Sequence, residues 1–298
     1  MANLVVTGGS GFIGSNLVSR LLEQGHWVYY TGKKGENRVS ATYLGPDFHK
    51  IDFAKLPPVE LVFHQAAITD TLVTDRQEMF RVNVENSLLL FERAKLAGCK
   101  GVVYASSCAV YGNVPVPFLE SGPFRPLNAY ADSKLALDLH APCCVAKDFF
   151  LTGLRYSNVY GPGEQHKKHA SSMIYQMIMK VKAGQKPRLF KWGQQARDFV
   201  NIQDVIDLNL SAGKAGISGV FNGGSGEAWS FNDVFKIIKE KLNSDLEIEY
   251  IENEIASSYQ DLTMCDMTKT EARLGYAPKV SMQEGISQYI DSLDDNGG

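Results

Sequence analysis

With 298 residues, 30 Lys and Arg, 33 Asp and Glu and a formal net charge of −3, the chain has no basic field and no compositional claim on nucleic acid. Its 44% hydrophobic and 21% charged residues are ordinary for a soluble enzyme, and the length allows one large domain or two modest ones. The longest apolar runs, ANLVVTGG and ELVFHQAA, are far shorter than a bilayer span, so no membrane partner is expected.

Residues 3–7 (NLVVT) predict a short strand, entered directly without a basic, cleavable leader. Glycines follow, and the amphipathic run FIGSNLVSRLLEQG predicts a helix that Gly25 stops. HWVYYT predicts a second strand. After a polar loop, FHKID and ELVFHQAA both read as strands, and residues around 76–97 as a long helix. GVVYASS is another buried strand, ending in small polar residues. NAYADSKLALDLH has helical periodicity, with Pro142 placed to kink or end the helix, and FLTGLRYS returns to a strand. This spacing predicts right-handed βαβ units: an α/β, Rossmann-like, doubly wound parallel sheet covered on both faces.

The pattern changes after YGPG at 160–163, where short strands and helices mix as in a smaller C-terminal α/β substrate-binding lobe. Ser230-x-x-Asp233 and Ser281-x-x-Glu284 resemble capping boxes, and Gly275 sits where a helix would take its closing glycine. The expected division is a nucleotide-binding domain over 1–165, rejoined by about 196–224, and a lobe over 166–195 and 225–298. The tail DDNGG is expected to fray. Cys99, Cys108, Cys143, Cys144 and Cys265 are an odd set without metal-ligand spacing. They predict reduced thiols in a cytoplasmic protein, and no metal.

The first loop, TGGSGFIGSN, places Gly8, Gly9, Gly11 and Gly14 between a strand and a helix. One glycine makes the tight turn, another lets backbone N–H groups approach a pyrophosphate, and the last lets helix and strand pack closely. Phe12 and Ile13 open the helix, whose N-terminus turns its positive dipole end toward the phosphates. An NAD site usually carries Asp or Glu about 20 residues further on, for the ribose 2′-hydroxyl. Here Thr31 and Gly32 are followed by Lys33, Lys34 and Arg38, a hydroxyl and three cations that would attract a 2′-phosphate. NADP is therefore the expected cofactor and NAD the alternative. An ordinary solvated loop is the other reading of these cations.

NAYADSK at 128–134 sets Tyr130 and Lys134 one helical turn apart, on one face. Such a pair arises about once by chance in a chain this long, so its weight comes from its company. Ser107 lies in ASSCAVYG at 105–112, HQAA stands at 64–67, VNVENS follows, and RYSNVYGP and RDFVNIQDV occupy 155–162 and 197–205. In this order the motifs resemble the extended short-chain dehydrogenase/reductase family over essentially the whole length.

That resemblance implies roles residue by residue. Gly8, Gly11, Phe12, Ile13 and Gly14 would hold the cofactor phosphates, Asp52 the adenine amino group, and Ala66, Ala67 and Asn83 the cofactor's flank. Ser107 would orient the reacting oxygen, Tyr130 would act as base, and Lys134 would support it and hold the nicotinamide ribose. Asn158 and Arg197 would meet the substrate, Arg197 as a diphosphate clamp or, failing that, in a structural salt bridge. GPGEQHKKHASSM at 161–173, KPRLF at 186–190 and SGVFNGGSGEAWSF at 218–231 make the second half similar to the ADP-glycero-manno-heptose 6-epimerase group of that family, which uses NADP. This puts a second catalytic group on Lys167, whose other reading is a solvated loop lysine. His166, Phe190 and Tyr259 would stand on the substrate side, although a core aromatic also suits Phe190. The implied reaction inverts an unactivated carbinol carbon by transient oxidation to a ketone, with a phenolate base whose pKa the Lys134 ammonium and the oxidised nicotinamide's positive charge both lower. A UDP-hexose 4-epimerase, a net oxidoreductase and a non-catalytic NADP-binding scaffold are the alternatives. Helices at 76–97 and 128–149 would pair copies into a homo-oligomer.

Overall fold

The computed structural model describes residues 1–33, 41–70, 75–252 and 260–295. The first half runs β1 (Asn3–Thr7), α1 (Phe12–Glu23), β2 (Trp27–Tyr30), β3 (Ala41–Tyr43), β4 (Leu61–His64), α2 (Arg76–Phe80), α3 (Asn86–Leu96), β5 (Gly101–Ser107), α4 (Ala129–His140) and β6 (Phe150–Tyr156). It continues through β7 (Asn158–Tyr160), α5 (Met173–Lys182), β8 (Arg188–Phe190), β9 (Ala196–Asn201), α6 (Ile202–Ala215) and β10 (Gly219–Gly223). The last elements are β11 (Ala228–Ser230), α7 (Phe231–Lys241), β12 (Glu249–Ile251), α8 (Thr268–Leu274) and α9 (Met282–Asp295).

Among the described residues the strands form three sheets. The largest has the order β3-β2-β1-β4-β5-β6-β10, with every pairing parallel. A strand buried on both faces must be apolar along its length, and Val5, Val62, Val102 and Val103 have no exposed surface. One face packs on α1 and α6 through Leu17, Val18, Val205 and Ile206, the other on α3 and α4 through Leu90, Phe91 and Leu137. The strand order reverses between β1 and β4. Thr7 and His64 are in register at that reversal, which opens a crevice beyond the strands' carboxyl ends.

Beyond β6 a three-stranded sheet, β11-β9-β7, and a two-stranded one, β12-β8, accompany a separate apolar cluster. Ile174, Phe235 and Ile286 from α5, α7 and α9 lie in it. Helix ends follow local chemistry: Ser230 Oγ accepts from Asp233 N at 3.1 Å, Ser281 Oγ from Glu284 N at 3.3 Å, and Gly275 closes α8 at φ 62°. No helix among the described residues is long and apolar enough to cross a membrane.

Three elements differ from expectation. FHKID is a pair of 3₁₀ turns rather than a strand: Phe48 and Ile51 are buried three positions apart, and Asp52 caps the second turn. A spacing of three places both side chains on one side of a tight turn. Ala41–Tyr43, within the expected polar loop, adds an edge strand to β2. The long helix is interrupted by a π-helical turn, Arg81–Glu85, which carries Asn83. Pro142 acts as expected, since α4 stops at His140 and a 3₁₀ turn takes over.

Candidate active site

The glycines after β1 make a cradle closed to side chains. A Cβ on Gly8 (φ +68°) would lie 2.8 Å from Ala66 N, and one on Gly14 would lie 2.1 Å from Gly8 O. Gly11 stands at the N-cap of α1 without a side-chain hydrogen bond, so no side chain competes for the N–H groups opened by Phe12 and Ile13. At the end of β2, the Thr31 amide donates to Val6 O and its carbonyl accepts from Gly9 N. Its buried Oγ1 has no hydrogen-bond partner among the described residues. Gly32 abuts Ser10, whose Oγ would lie 2.2 Å from an added Cβ, and Lys33 is exposed beside it. A backbone cradle at a helix N-terminus, with an orphaned hydroxyl where an adenosine ribose would lie, fits a dinucleotide. Lys34 and Arg38 lie outside the described residues.

The HQAA segment is tied to this cradle. Ala66 N donates to Thr7 Oγ1 at 3.2 Å, and His64 bridges Thr7 (2.6 Å) and Ser87 (2.8 Å). Burial, then the charge of Lys134, pulls the His64 pKa down to about 3, so this imidazole is neutral. Ala66 and Ala67 are half-buried at the crevice. Asn83 uses its side chain on the protein, accepting from Ile68 N at 2.8 Å and donating to Ile68 O and Ser133 Oγ. Ser133 in turn donates to Tyr130 O, linking the HQAA loop to the helix that carries Tyr130. Asp52 is exposed, accepts from Ala54 N and pairs with Lys55 at 3.2 Å.

Ser107 ends β5, and its Oγ accepts from Ala109 N at 3.1 Å. Asn128 caps α4 by accepting from Ala131 N at 2.9 Å, which sets Tyr130 in the first turn. The Tyr130 phenol is pushed above its usual value by its crowded surroundings, while a hydrogen bond with Ser107 pulls the other way. Lys134 is buried, with Nζ donating to Ala105 O at 2.9 Å and standing 5.9 Å from the Tyr130 ring centroid. Burial lowers its pKa to about 8. Without the nicotinamide's positive charge, burial therefore sets the direction of the Tyr130 shift, while the Lys134 ammonium is held by the Ala105 carbonyl.

Lys167 is half-buried and sits 5.4 Å above the Phe12 ring centroid. Burial lowers its pKa against the charge of Glu164. Glu164 folds this loop. Its buried carboxylate accepts from Ser172 N at 2.6 Å and Ser172 Oγ at 2.7 Å, while Asn16 Nδ2 donates to Pro162 O. The loop that reads as basic and solvated thus delivers one lysine to the phosphate-loop helix, while His166 is exposed.

Asn158 and Arg197 share the three-stranded sheet: Asn158 Nδ2 donates to Asp198 O at 3.2 Å, and Arg197, 8% exposed, lies 5.5 Å over the Phe231 ring. Phe190 ends β8, half-buried, and Tyr259 lies outside the described residues. Sequence reasoning missed Asp198. This fully buried carboxylate accepts from Ser225 N, Gly226 N and Cys265 N, and Ser157 Oγ donates to it. It missed Asp138 and Arg155 as well. For Asp138 a signal existed, since it follows Lys134 by four residues on the Tyr130 face.

Comparisons with known proteins agree along the whole chain. The NAD dependent epimerase/dehydratase family matches residues 4–224. ADP-L-glycero-D-manno-heptose-6-epimerase of Brachyspira hyodysenteriae is 33% identical over 319 residues, covering 99% of each chain. Among solved structures, the enzyme of that name from Helicobacter pylori is 33% identical with a TM-score of 0.89, covering 98% of this chain and 96% of its own. UDP-glucose 4-epimerase from Thermotoga maritima, solved with UDP-glucose, is 28% identical with a TM-score of 0.89, covering 99% of this chain and 100% of its own. Likeness that runs through both the large sheet and the smaller ones leaves one conclusion: the chain belongs to the NAD-dependent epimerase/dehydratase family, as an isomerase that works with a nicotinamide cofactor.

Proposed function

We propose that the chain epimerises a nucleotide-diphosphate sugar with NADP, and that its substrate is an ADP-glycero-manno-heptose. The observation that carries this is the meeting of Ser107, Tyr130 and buried Lys134 at the carboxyl end of β5, next to the glycine cradle. A carbinol C–H is too weakly acidic for direct proton abstraction, so inversion needs the alcohol to become a ketone and return. When bound, the nicotinamide supplies the hydride acceptor and donor for that cycle without net redox. Tyr130 takes the hydroxyl proton and gives it back, and Ser107 hydrogen-bonds the reacting oxygen. Lys134 offsets the charge that forms on the phenol oxygen. Lys167 meets the oxygen when the ketone is presented by its other face. Residues 166–195 and 225–298 hold the nucleotide-sugar, with Arg197 clamping its diphosphate. Copies would associate through exposed Leu89, Leu96 and Leu139 on α3 and α4, which a solution mass measurement tests.

The test is a panel of ADP-, UDP-, GDP- and CDP-sugars. Interconversion of two ADP-heptose epimers with no net cofactor reduction is expected. Stoichiometric cofactor consumption would instead mark a net oxidoreductase. Turnover of UDP-glucose alone would make the chain a 4-epimerase, a reading that the Thermotoga maritima likeness supports.

Two further results are expected. Lys167→Met lowers kcat by about 100-fold with cofactor affinity unchanged; a kcat within a factor of about two returns Lys167 to the solvated loop. Lys33→Ala weakens NADPH about tenfold, one charged hydrogen bond, and leaves NADH unchanged in a fluorescence titration. Equal weakening of both nucleotides removes Lys33 from 2′-phosphate recognition.

A further inference from the structure

One turn beyond Lys134 on α4 lies Asp138. Its side chain is 2% exposed and that of Arg155, on β6, is 3% exposed. Asp138 Oδ2 accepts from Arg155 Nε at 2.8 Å and from Ser106 Oγ at 2.9 Å, while Oδ1 is buried with no hydrogen-bond partner among the described residues. Burial pushes the Asp138 pKa above the usual carboxylate value, and the Arg155 guanidinium, the two donated hydrogen bonds and the Lys134 charge oppose that push in favour of the charged form. Arg155 is itself anchored: Nη1 donates to Tyr111 Oη (2.9 Å) and Glu120 O (3.1 Å), and the guanidinium stacks 5.1 Å from the Tyr111 ring centroid and 4.6 Å from that of Phe124. Tyr111 passes the contact to Asn222 on β10 at 2.6 Å.

A buried ion pair stabilises a fold no better, in general, than a well-packed apolar pair of similar size. Its placement here is specific. Tyr130, Lys134 and Asp138 are four residues apart, so they form one stripe along α4, facing β5.

Other titratable groups face the stripe from the elements packed on it. From β4, His64 is neutral. From β5, Tyr104 is kept as a phenol by burial and by the Asp138 charge. From the turn after β5 come Cys108, which touches Cys265, and Tyr111, whose phenol burial pushes up. Ser106 and Ser107 contribute neutral hydroxyls. The charges at the stripe are those of Lys134, Asp138 and Arg155.

We propose that Asp138 is a positioning residue for the Tyr130–Lys134 pair: anchored by Arg155, its buried carboxylate holds this face of α4 against β5 and supplies the negative charge that keeps Lys134 an ammonium inside the protein. The proposal rests on the reading of Tyr130 as base and Lys134 as its partner. Burial draws the Lys134 pKa down, and Asp138 is the group that opposes it.

The experiment is the pH profile of kcat/KM for the cofactor-loaded enzyme and its Asp138→Asn variant. Removing one negative charge lowers the pKa of every nearby group. Both limbs, which belong to the Tyr130–Lys134 pair jointly, therefore move to lower pH by about one unit. Asp138→Glu keeps the charge and leaves the limbs in place even where kcat falls. A second readout is ultraviolet difference titration of the phenolate, with Tyr130→Phe in each background isolating the Tyr130 signal, which shifts in the same direction. Should Asp138→Asn fail to fold with Arg155 unpaired, Asp138→Asn/Arg155→Gln leaves neither charge uncompensated; because Asp138, and not Arg155, is the charge that acts on Lys134, the limbs still move down, by less than in the single variant. Unmoved limbs, or equal movement in Asp138→Glu, overturn the proposal. Turnover surviving in Tyr130→Phe overturns the catalytic reading instead, so the two failures are distinguishable.

Discussion

Replacing Tyr130 by Phe is expected to lower kcat by roughly 10²–10⁴-fold, the usual worth of a positioned acid–base group. The variant loses one oxygen and keeps the ring. The α4 cap at Asn128 and the Ser133 contact to the backbone of residue 130 do not involve the hydroxyl, so the helix stays in place. Nucleotide affinity, set by the cradle around Gly8 and Gly14, should change by less than about twofold. Steady-state epimerisation and cofactor fluorescence measure the two quantities separately. Loss of both together would mean that the variant damages the site as a whole, and unaltered turnover would remove Tyr130 from the chemistry.

The second large effect is expected from Gly14→Ala. A methyl group at this position would lie 2.1 Å from Gly8 O and 2.7 Å from Gly8 C, both backbone atoms of the cradle. Nothing there can rotate away, so helix and loop must separate. Overpacking of this kind costs roughly 1–3 kcal/mol, which appears as about 5- to 150-fold weaker nucleotide binding if the strain falls on the loop. Gly25→Ala is the control. Gly25 has φ +79° with nothing within 4 Å of an added Cβ, so that variant carries strain at the end of α1 without a clash. It should lower the melting temperature and leave nucleotide affinity alone. Equal nucleotide binding by wild type and Gly14→Ala would refute the cradle.

The strands of the large sheet were readable because burial on both faces demands continuous apolar runs, as in NLVVT and GVVYASS. The cradle was readable because only glycine allows backbone to approach backbone, a constraint that acts within one turn of chain. FHKID was misread because five residues cannot separate alternation from a spacing of three, and the packing of Phe48 and Ile51 decided between them. Asn83 was placed on the cofactor's flank by resemblance. Its hydrogen bonds to Ile68 and Ser133 appear only once a π-helical turn sets its side chain between the HQAA loop and α4.

The chemistry divides in the same way. The sequence alone determined the identities and spacing of the groups proposed to react or to hold the cofactor: Ser107, the Tyr130–Lys134 turn, and the glycines ahead of α1. These relations are local, set by the geometry of one strand, one helix and one loop. Tertiary structure decided what those groups experience. Burial raises the Tyr130 phenol and brings Lys134 to about 8, Glu164 folds a basic loop until Lys167 meets Phe12, and Arg155 arrives from β6 to hold Asp138. Desolvation and charge pairing depend on which segments become neighbours, and those neighbours lie far apart in the chain.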